Sequence, residues 1–85
     1  MLIPDEYELI KETLKNICDN NEADLILTTG GTGFAKRDVT PEATLEIVDK
    51  IVPGIPEAIR AYSMSITKRA MLSRAAAGIR KSTLL

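Results

Sequence analysis

Apolar residues near the start of the chain recur at the spacing of a helix with one buried face: Ile10, Leu14, Ile17 and Cys18. This period predicts an amphipathic helix over residues 6–20. Asp5 precedes the helix, and Glu8 follows Asp5 at the spacing of a capping box. We therefore predict Asp5 as the N-cap residue, after a short apolar segment that ends at Pro4.

A short apolar run and a glycine-rich turn come after this helix. The sequence Leu-Ile-Leu at residues 25–27 predicts a buried strand over residues 24–29. Three glycines follow almost at once: Gly30, Gly31 and Gly33. Glycine takes positive φ readily and lets a ligand approach the main chain, so a sharp turn is expected here.

Two further helices are predicted in the second half of the chain. Thr40 is a predicted N-cap, and Pro41 occupies the first helical position behind it. The apolar face of that helix comprises Leu45, Val48, Ile51 and Val52, and the helix should end before Pro53. A third helix is predicted over residues 56–64, with Ala58, Ile59 and Tyr62 on one side.

The chain closes on short predicted elements. Residues 65–75 suggest irregular structure with one short helical turn. Residues 78–80 and 83–85 are interpreted as two short strands on either side of Lys81 and Ser82. Helices and strands that alternate in this way indicate an α/β fold.

Composition narrows the class of protein. The 85 residues predict one small domain, 1–85, and 45% hydrophobic with 27% charged residues is usual for soluble proteins. No apolar run has the length of a membrane span and no leader is recognised at Met1, so no membrane partner is expected. Cys18 is predicted to pack as a small apolar residue on a helix face, and a cytoplasmic protein is expected. Cys18 is the only cysteine and histidine is absent, which excludes an internal disulfide, a zinc site and a Cys–His pair.

Charge is divided unevenly along the chain. Residues 1–57 hold twelve acids and five bases, whereas residues 58–85 hold six bases and no acid. A basic segment can attract phosphate or nucleic acid. Aromatic residues are scarce among these bases, so nucleic acid is not an expected partner. The favoured interpretation is that the bases balance the acidic half within the molecule.

The turn at residues 30–33 is the first candidate binding feature. Glycine-rich backbone at the end of a strand is where α/β proteins bind phosphate groups, through exposed N–H groups. A Walker A loop requires a Gly-Lys pair, which the chain lacks. A dinucleotide fingerprint starting at Gly31 would need glycine at Lys36. On spacing alone, a phosphate cradle and a tight turn without a ligand remain equal alternatives.

Longer motifs around this turn resemble a known family. The residues that carry the resemblance are Thr28-Thr29-Gly30-Gly31-Thr32-Gly33 and Arg37-Asp38-Val39-Thr40-Pro41-Glu42-Ala43-Thr44. Shorter agreements are Ile3-Pro4-Asp5-Glu6, Met71-Leu72-Ser73-Arg74 and Ala77-Gly78-Ile79-Arg80. Together they resemble the molybdopterin adenylyltransferases of molybdenum cofactor biosynthesis and the G domain of gephyrin.

This resemblance implies a fold and a reaction. The fold is a three-layer α/β/α arrangement with a mostly parallel sheet, and the chain is similar to the central part of it, incomplete at both ends. The implied reaction is Mg-ATP-dependent adenylylation of molybdopterin, with ATP and molybdopterin as substrates and Mg²⁺ as cofactor. Members of the family are typically homotrimers, so a homotrimer is the expected assembly.

The resemblance also implies site residues, each with a structural alternative. Asp5 and Asp38 are the implied catalytic and metal-binding acids. The structural alternative for Asp5 is an N-cap, and that for Asp38 is a loop acid paired with Lys36 or Arg37. The implied phosphate- and pterin-binding residues are Thr29, Gly30, Gly31, Thr32, Gly33, Thr40, Pro41 and Ser73. Ser73 has a surface hydroxyl as its alternative. For Arg74, contact with a phosphate and pairing with an acid both stay open.

Two other functions remain as alternatives. One is a non-catalytic molybdopterin-binding or scaffold module of the same fold. The other is a generic nucleotide-binding domain, which would bind ATP without binding the pterin.

Overall fold

Three α-helices, one 3-10 helix and three short strands form the chain in the computed structural model, which describes all 85 residues. In chain order they are α1 (Tyr7–Asp19), α2 (Thr40–Ile47), β1 (Lys50–Ile51), α3 (Gly54–Met64), the 3-10 helix (Lys68–Leu72), β2 (Gly78–Arg80) and β3 (Thr83–Leu84). The α/β content is therefore as predicted, as are the short helical turn in residues 65–75 and the strand pair around Lys81 and Ser82.

The core lies between α1 and α2. Ile10 and Leu14 of α1 pack with Ala43 and Ile47 of α2, and these four side chains are almost fully buried. Partly buried residues surround them: Ile3, Tyr7, Ile26, Val39 and Leu85. The apolar face predicted for residues 6–20 is thus the face of α1 that is buried.

Cys18 extends the buried face of α1, with 1% of its surface exposed. Burial raises the pKa of its thiol. Both observations agree with the prediction that this cysteine packs as a small apolar residue.

The sheet is antiparallel, which corrects the prediction of a mostly parallel sheet. Its strand order is β1-β2-β3, and both neighbouring pairs are antiparallel. Two residues, Lys81 and Ser82, join β2 to β3, and strands joined by so short a turn can only run antiparallel. Lys81 takes the left-handed conformation (φ 53°) that this tight turn requires.

Residues 24–29 do not form the buried strand that was predicted. Their one parallel contact is with Leu84: the Ile26 N–H donates to the Leu84 carbonyl at 2.8 Å, and the Leu84 N–H donates to the Asp24 carbonyl at 2.9 Å. No other strand among the 85 residues pairs with this run. Leu25 is therefore 53% exposed and Leu27 is 81% exposed.

The second helix is shorter than predicted. Helix α2 ends at Ile47, and Val48 is already extended. The backbone then pairs with the region of β2, through the Asp49 N–H to the Ile79 carbonyl and the Val52 N–H to the Ala77 carbonyl. Valine and isoleucine suit this extended conformation, so strand pairing prevails over the helical spacing of these residues.

Neither predicted N-cap is observed. The cap position of α1 is Glu6, not Asp5, because the Glu6 N–H turns back to the Pro4 carbonyl and the first helical bond runs from Ile10 to Glu6. The cap position of α2 is Val39, and Thr40 is already helical. No side chain makes a capping hydrogen bond at either helix.

Helix α3 begins two residues earlier than predicted, at Gly54. Its predicted apolar side stays largely uncovered, with Ile59 58% and Tyr62 73% exposed. Pro56 is the one buried residue of this helix.

No helix combines the length and the apolar character that crossing a membrane requires.

Candidate functional site

The glycine turn folds back onto the first turn of α2. Gly30 and Gly31 have φ values of 85° and 72°, in the left-handed region. The Gly31 carbonyl accepts a hydrogen bond from the Thr40 N–H at 3.3 Å. A Cβ on Gly31 would overlap Thr40 Oγ1, whereas one on Gly30 would meet nothing. Close approach to Thr40 therefore requires glycine at position 31, and the turn and the helix form one unit.

Asp38 closes the loop that follows the glycines. Its Oδ2 accepts the Ala35 N–H at 3.0 Å, and its own N–H donates to the Ala35 carbonyl at 3.0 Å. A Cβ on Gly33 would lie 2.7 Å from the same oxygen. The carboxylate thus faces the glycine turn. It forms no ion pair with Lys36 or Arg37, which was the structural alternative for this acid.

Arg74 ties this loop to α2. Its Nε donates to the Gly33 carbonyl at 2.8 Å, its Nη2 to the Asp38 carbonyl at 2.6 Å and its Nη1 to Glu42 Oε2 at 2.6 Å. Its backbone N–H also donates to the Thr32 carbonyl at 3.3 Å. The hydrogen bond from Arg74 lowers the pKa of Glu42 below its ordinary range. Of the two possibilities open for Arg74, the structure shows pairing with an acid.

Two cavities bring other predicted site residues together. The first, of about 280 Å³, is lined by the polar residues Asp5, Thr13, Thr28, Thr29 and Thr40 beside apolar side chains of α1. The second, of about 170 Å³, is lined by Thr32, Thr40, Pro41 and Thr44 together with apolar residues of α3. Residues 26–28 and Thr40 line both. Thr40 therefore links the glycine turn to both cavities.

The two predicted acids occupy different parts of this region. Asp5 lines the first cavity, whereas Asp38 lines neither. No cluster of three or more His, Cys, Asp or Glu side chains is present. Mg²⁺ commonly takes one or two carboxylates and completes its shell with water and substrate phosphates. The two acids are therefore not brought together in a pre-formed cage for a metal ion.

Ser73 lies beside this region through its neighbour Arg74. Its Oγ accepts the Ala75 N–H at 3.4 Å and its carbonyl accepts Arg60 Nη1 at 3.2 Å. The Ser73 side chain lines neither of the two cavities. Sequence reasoning named Ser73 and left Arg74 open, yet it is Arg74 that contacts the glycine turn.

A second arginine makes a similar set of contacts away from the glycine turn. Arg80 binds both carboxylate oxygens of Asp19, at 2.9 and 3.1 Å, and donates to the Ile47 carbonyl at 2.7 Å. Lys81 Nζ approaches the same carboxylate at 3.3 Å. Arg74, Arg80 and Lys81 all pair with acids of the first half of the chain. The interpretation that the basic segment balances the acidic half is confirmed for these three.

The Arg80–Asp19 pair predicts a loss of stability in acid. The hydrogen bonds from Arg80 lower the pKa of Asp19 from 3.8 to about 2. A depressed folded-state pKa stabilises the protein above the unfolded pKa, and that contribution is lost as pH falls through the folded value. We expect the free energy of unfolding to fall from pH 4 towards pH 2, measured by urea denaturation. Asp19→Asn should flatten this slope; an unchanged slope would contradict the assignment.

The sequence as a whole matches one protein family. All residues, 1–85, match the sequence model of a family described as a probable molybdopterin binding domain. The chain belongs to this molybdopterin-binding family. The resemblance found in the sequence is therefore confirmed.

Individual relatives agree with the family assignment. Molybdopterin adenylyltransferase of Haemophilus influenzae is 50% identical over 84 residues, which are 99% of this chain and 43% of the relative. The enzyme of the same name from Helicobacter pylori J99 is 45% identical and is covered to 48%. The crystal structure of the molybdopterin biosynthesis enzyme MoaB from Thermus thermophilus superimposes with a TM-score of 0.87 at 51% identity, covering 98% of this chain and 52% of that one.

The chain spans less than half the length of these two curated relatives, 43% and 48%, and about half, 52%, of the solved structure. Membership of the molybdopterin-binding family follows from these matches. The reaction, its substrates and the assembly are matters of proposal for this chain.

Proposed function

We propose that this molybdopterin-binding domain transfers the adenylyl group of ATP to the phosphate of molybdopterin. The observation that carries the proposal is the loop from Gly30 to Asp38, which is folded onto the start of α2. It combines positive-φ glycine backbone with a carboxylate directed at the turn. Similarity to enzymes named molybdopterin adenylyltransferase supports this choice among phosphate chemistries.

The transfer exchanges one phosphorus–oxygen bond for another. An oxygen of the pterin phosphate attacks the α-phosphorus of ATP, and the bond from that phosphorus to the bridging oxygen of the β-phosphate breaks. Pyrophosphate leaves with the electron pair of that bond, and the product is adenylyl-molybdopterin. Such reactions depend on positioning and on stabilising charge more than on covalent catalysis by the protein.

Each part of the site has a proposed role. Backbone N–H groups of residues 30–33 bind a phosphate group, as left-handed glycine turns do in other anion sites. Asp38, which faces the glycine turn, and Asp5, which lines the first cavity, are each proposed as a carboxylate for a magnesium ion that would arrive with the nucleotide and neutralise charge on its phosphates. Thr29 and Thr40 offer hydroxyl groups to a ligand in the first cavity, and Thr32 and Pro41 line the second. Ser73 is retained as a proposed pterin contact on the resemblance alone.

A homotrimer in the cytoplasm completes the proposal. The trimer is the assembly implied by the family resemblance, and the exposed Leu27 and Tyr62 (81% and 73%) offer apolar surface that an assembly could cover. A buried thiol without a partner suits a reducing compartment.

Pyrophosphate release tests the reaction. The protein is incubated with molybdopterin, ATP and Mg²⁺, and each component is omitted in turn. We expect pyrophosphate only in the complete mixture. ATP hydrolysis without molybdopterin would favour the generic nucleotide-binding alternative, and pterin binding without pyrophosphate would favour the non-catalytic module.

A further inference from the structure

We infer that Arg74 is a positioning residue that holds the glycine turn in its ligand-binding conformation without contacting the ligand. This inference rests on the proposed function for its catalytic consequence. Its structural part stands on the contacts of Arg74 alone.

The guanidinium links three points that are far apart in sequence from Arg74. It donates to carbonyls on both sides of the loop, at Gly33 and Asp38, and to the carboxylate of Glu42 in the first turn of α2. The backbone of Arg74 adds a fourth bond, to the Thr32 carbonyl. The loop is thereby fastened to the chain that follows the 3-10 helix and to α2 at the same time.

The direction of these bonds matters for ligand binding. Arg74 uses the carbonyl oxygens of Gly33 and Asp38, so these acceptors point towards it. A phosphate needs donors, and carbonyl groups directed at it would repel it. By engaging the carbonyls, Arg74 keeps them away from a phosphate and leaves the N–H groups of the turn to face it.

Glu42 explains why Arg74 itself does not serve as the phosphate-binding charge. The two side chains meet at 2.6 Å and are only partly exposed, 33% for Arg74 and 46% for Glu42. All three nitrogens of the guanidinium donate to protein acceptors. Its positive charge is largely compensated, and its planar fork is used to fix geometry.

Lysine cannot replace this arrangement. A lysine keeps the charge but presents one ammonium group, which cannot reach a carboxylate and two separate carbonyls in fixed directions. Arg74→Lys therefore removes the positioning and preserves the charge. Arg80→Lys is the matched control, since Arg80 binds one carboxylate and one carbonyl in the same manner but contacts Asp19 and Ile47 instead of the loop.

Amide hydrogen exchange tests the structural part, with no ligand needed. The reporters are the loop amides that donate within the loop or to it: Ala35, Asp38, Thr40 and residue 74. In Arg74→Lys we expect them to exchange about 10-fold faster or more, the scale of losing a hydrogen bond between charged groups. The Leu84 amide, bonded to Asp24, should keep its protection. Arg80→Lys should leave the four loop amides unchanged.

Steady-state kinetics of pyrophosphate release test the functional part. If the loop adopts its ligand-binding conformation in only a fraction of the molecules, the apparent affinity for the ligand is reduced by that fraction. Arg74→Lys should therefore raise the KM for a phosphate-bearing substrate about 10-fold and change kcat by less than about 2-fold. Glu42→Gln, which keeps the size of the side chain and removes its charge, should shift KM in the same direction by less.

The outcomes separate this inference from the proposed function. Unchanged loop protection in Arg74→Lys would overturn the inference, as would a lower kcat at constant KM, which would place the guanidinium on the reacting phosphate. If the unmodified protein releases no pyrophosphate, the proposed reaction fails. Loop exchange in Arg74→Lys then still supports or overturns the positioning role.

Discussion

Asp38→Asn is expected to lower kcat for pyrophosphate release by about 100-fold or more, the scale on which enzymes lose a charge-stabilising group of their transition state. The substitution removes the charge but keeps the shape of the side chain. An asparagine carbonyl can still accept the Ala35 N–H, which now donates to Asp38 Oδ2 at 3.0 Å. The loop should therefore stay folded, and the loss should come from the chemistry.

Asp49→Asn is the control for this result. The Asp49 carboxylate also accepts a backbone N–H, that of Lys81 at 2.8 Å, but it lies beside the β2–β3 turn and lines neither cavity. We expect the Asp49 variant to retain the rate of the unmodified protein. If Asp38→Asn retained it too, the Asp38 charge would have no part in the transfer.

Gly31→Ala is expected to be strongly destabilising. A left-handed backbone costs a residue with a side chain roughly 1–2 kcal/mol, and overpacking adds about 1–3 kcal/mol. Position 31 carries both costs, because φ is 72° and the new Cβ would overlap Thr40 Oγ1. A total of about 3 kcal/mol is a large part of the ~5–15 kcal/mol that stabilises a small domain.

Gly30→Ala provides a matched comparison. Gly30 has a similar φ of 85°, yet a Cβ there meets nothing within 4 Å. Only the backbone cost applies, so urea denaturation should show Gly31→Ala to be the less stable by about 1–3 kcal/mol. Equal stabilities would mean that the turn does not pack against α2 as described.

Local patterns predicted much of this fold. The buried face of α1 could be predicted because Ile10, Leu14 and Cys18 recur at helical spacing within a single helix. The strand pair at the end of the chain likewise depends on a two-residue turn. Both patterns are complete in a short stretch of sequence, so no distant residue had to be known.

The wrong length of α2 and the wrong strand at residues 24–29 have a common physical origin in distant pairing. Val48 and Val52 have helical spacing, but the backbone around them is extended. It pairs with Ala77 and Ile79, about thirty positions later in the sequence. The apolar run at Leu25 and Leu27 lacks the two-sided cover that a buried strand needs. Helical spacing and apolar runs indicate which secondary structure a segment prefers. Pairing with distant parts of the chain decides whether the segment becomes a helix, a strand or neither.

Residues of the candidate site that are neighbours in sequence could be named from the sequence, and their functional roles stay predictions. Gly30, Gly31 and Asp38 lie within one loop, and their motif pointed to them directly. Arg74 reaches the loop from 41 positions beyond Gly33 and meets Glu42 from 32 positions away. Contacts between residues so far apart produce no recognisable sequence pattern. The sequence therefore shows that Arg74 is basic but does not show which groups it binds.

The fate of the α-phosphorus of ATP decides whether this domain transfers an adenylyl group. The protein is given molybdopterin, Mg²⁺ and ATP labelled either at the α- or at the γ-phosphate. We expect the α-label to appear on molybdopterin and the γ-label to appear in pyrophosphate, in equal molar amounts. Molybdopterin that is bound but carries no α-label, or α-label found only in free AMP or ADP, would contradict adenylyl transfer by this domain.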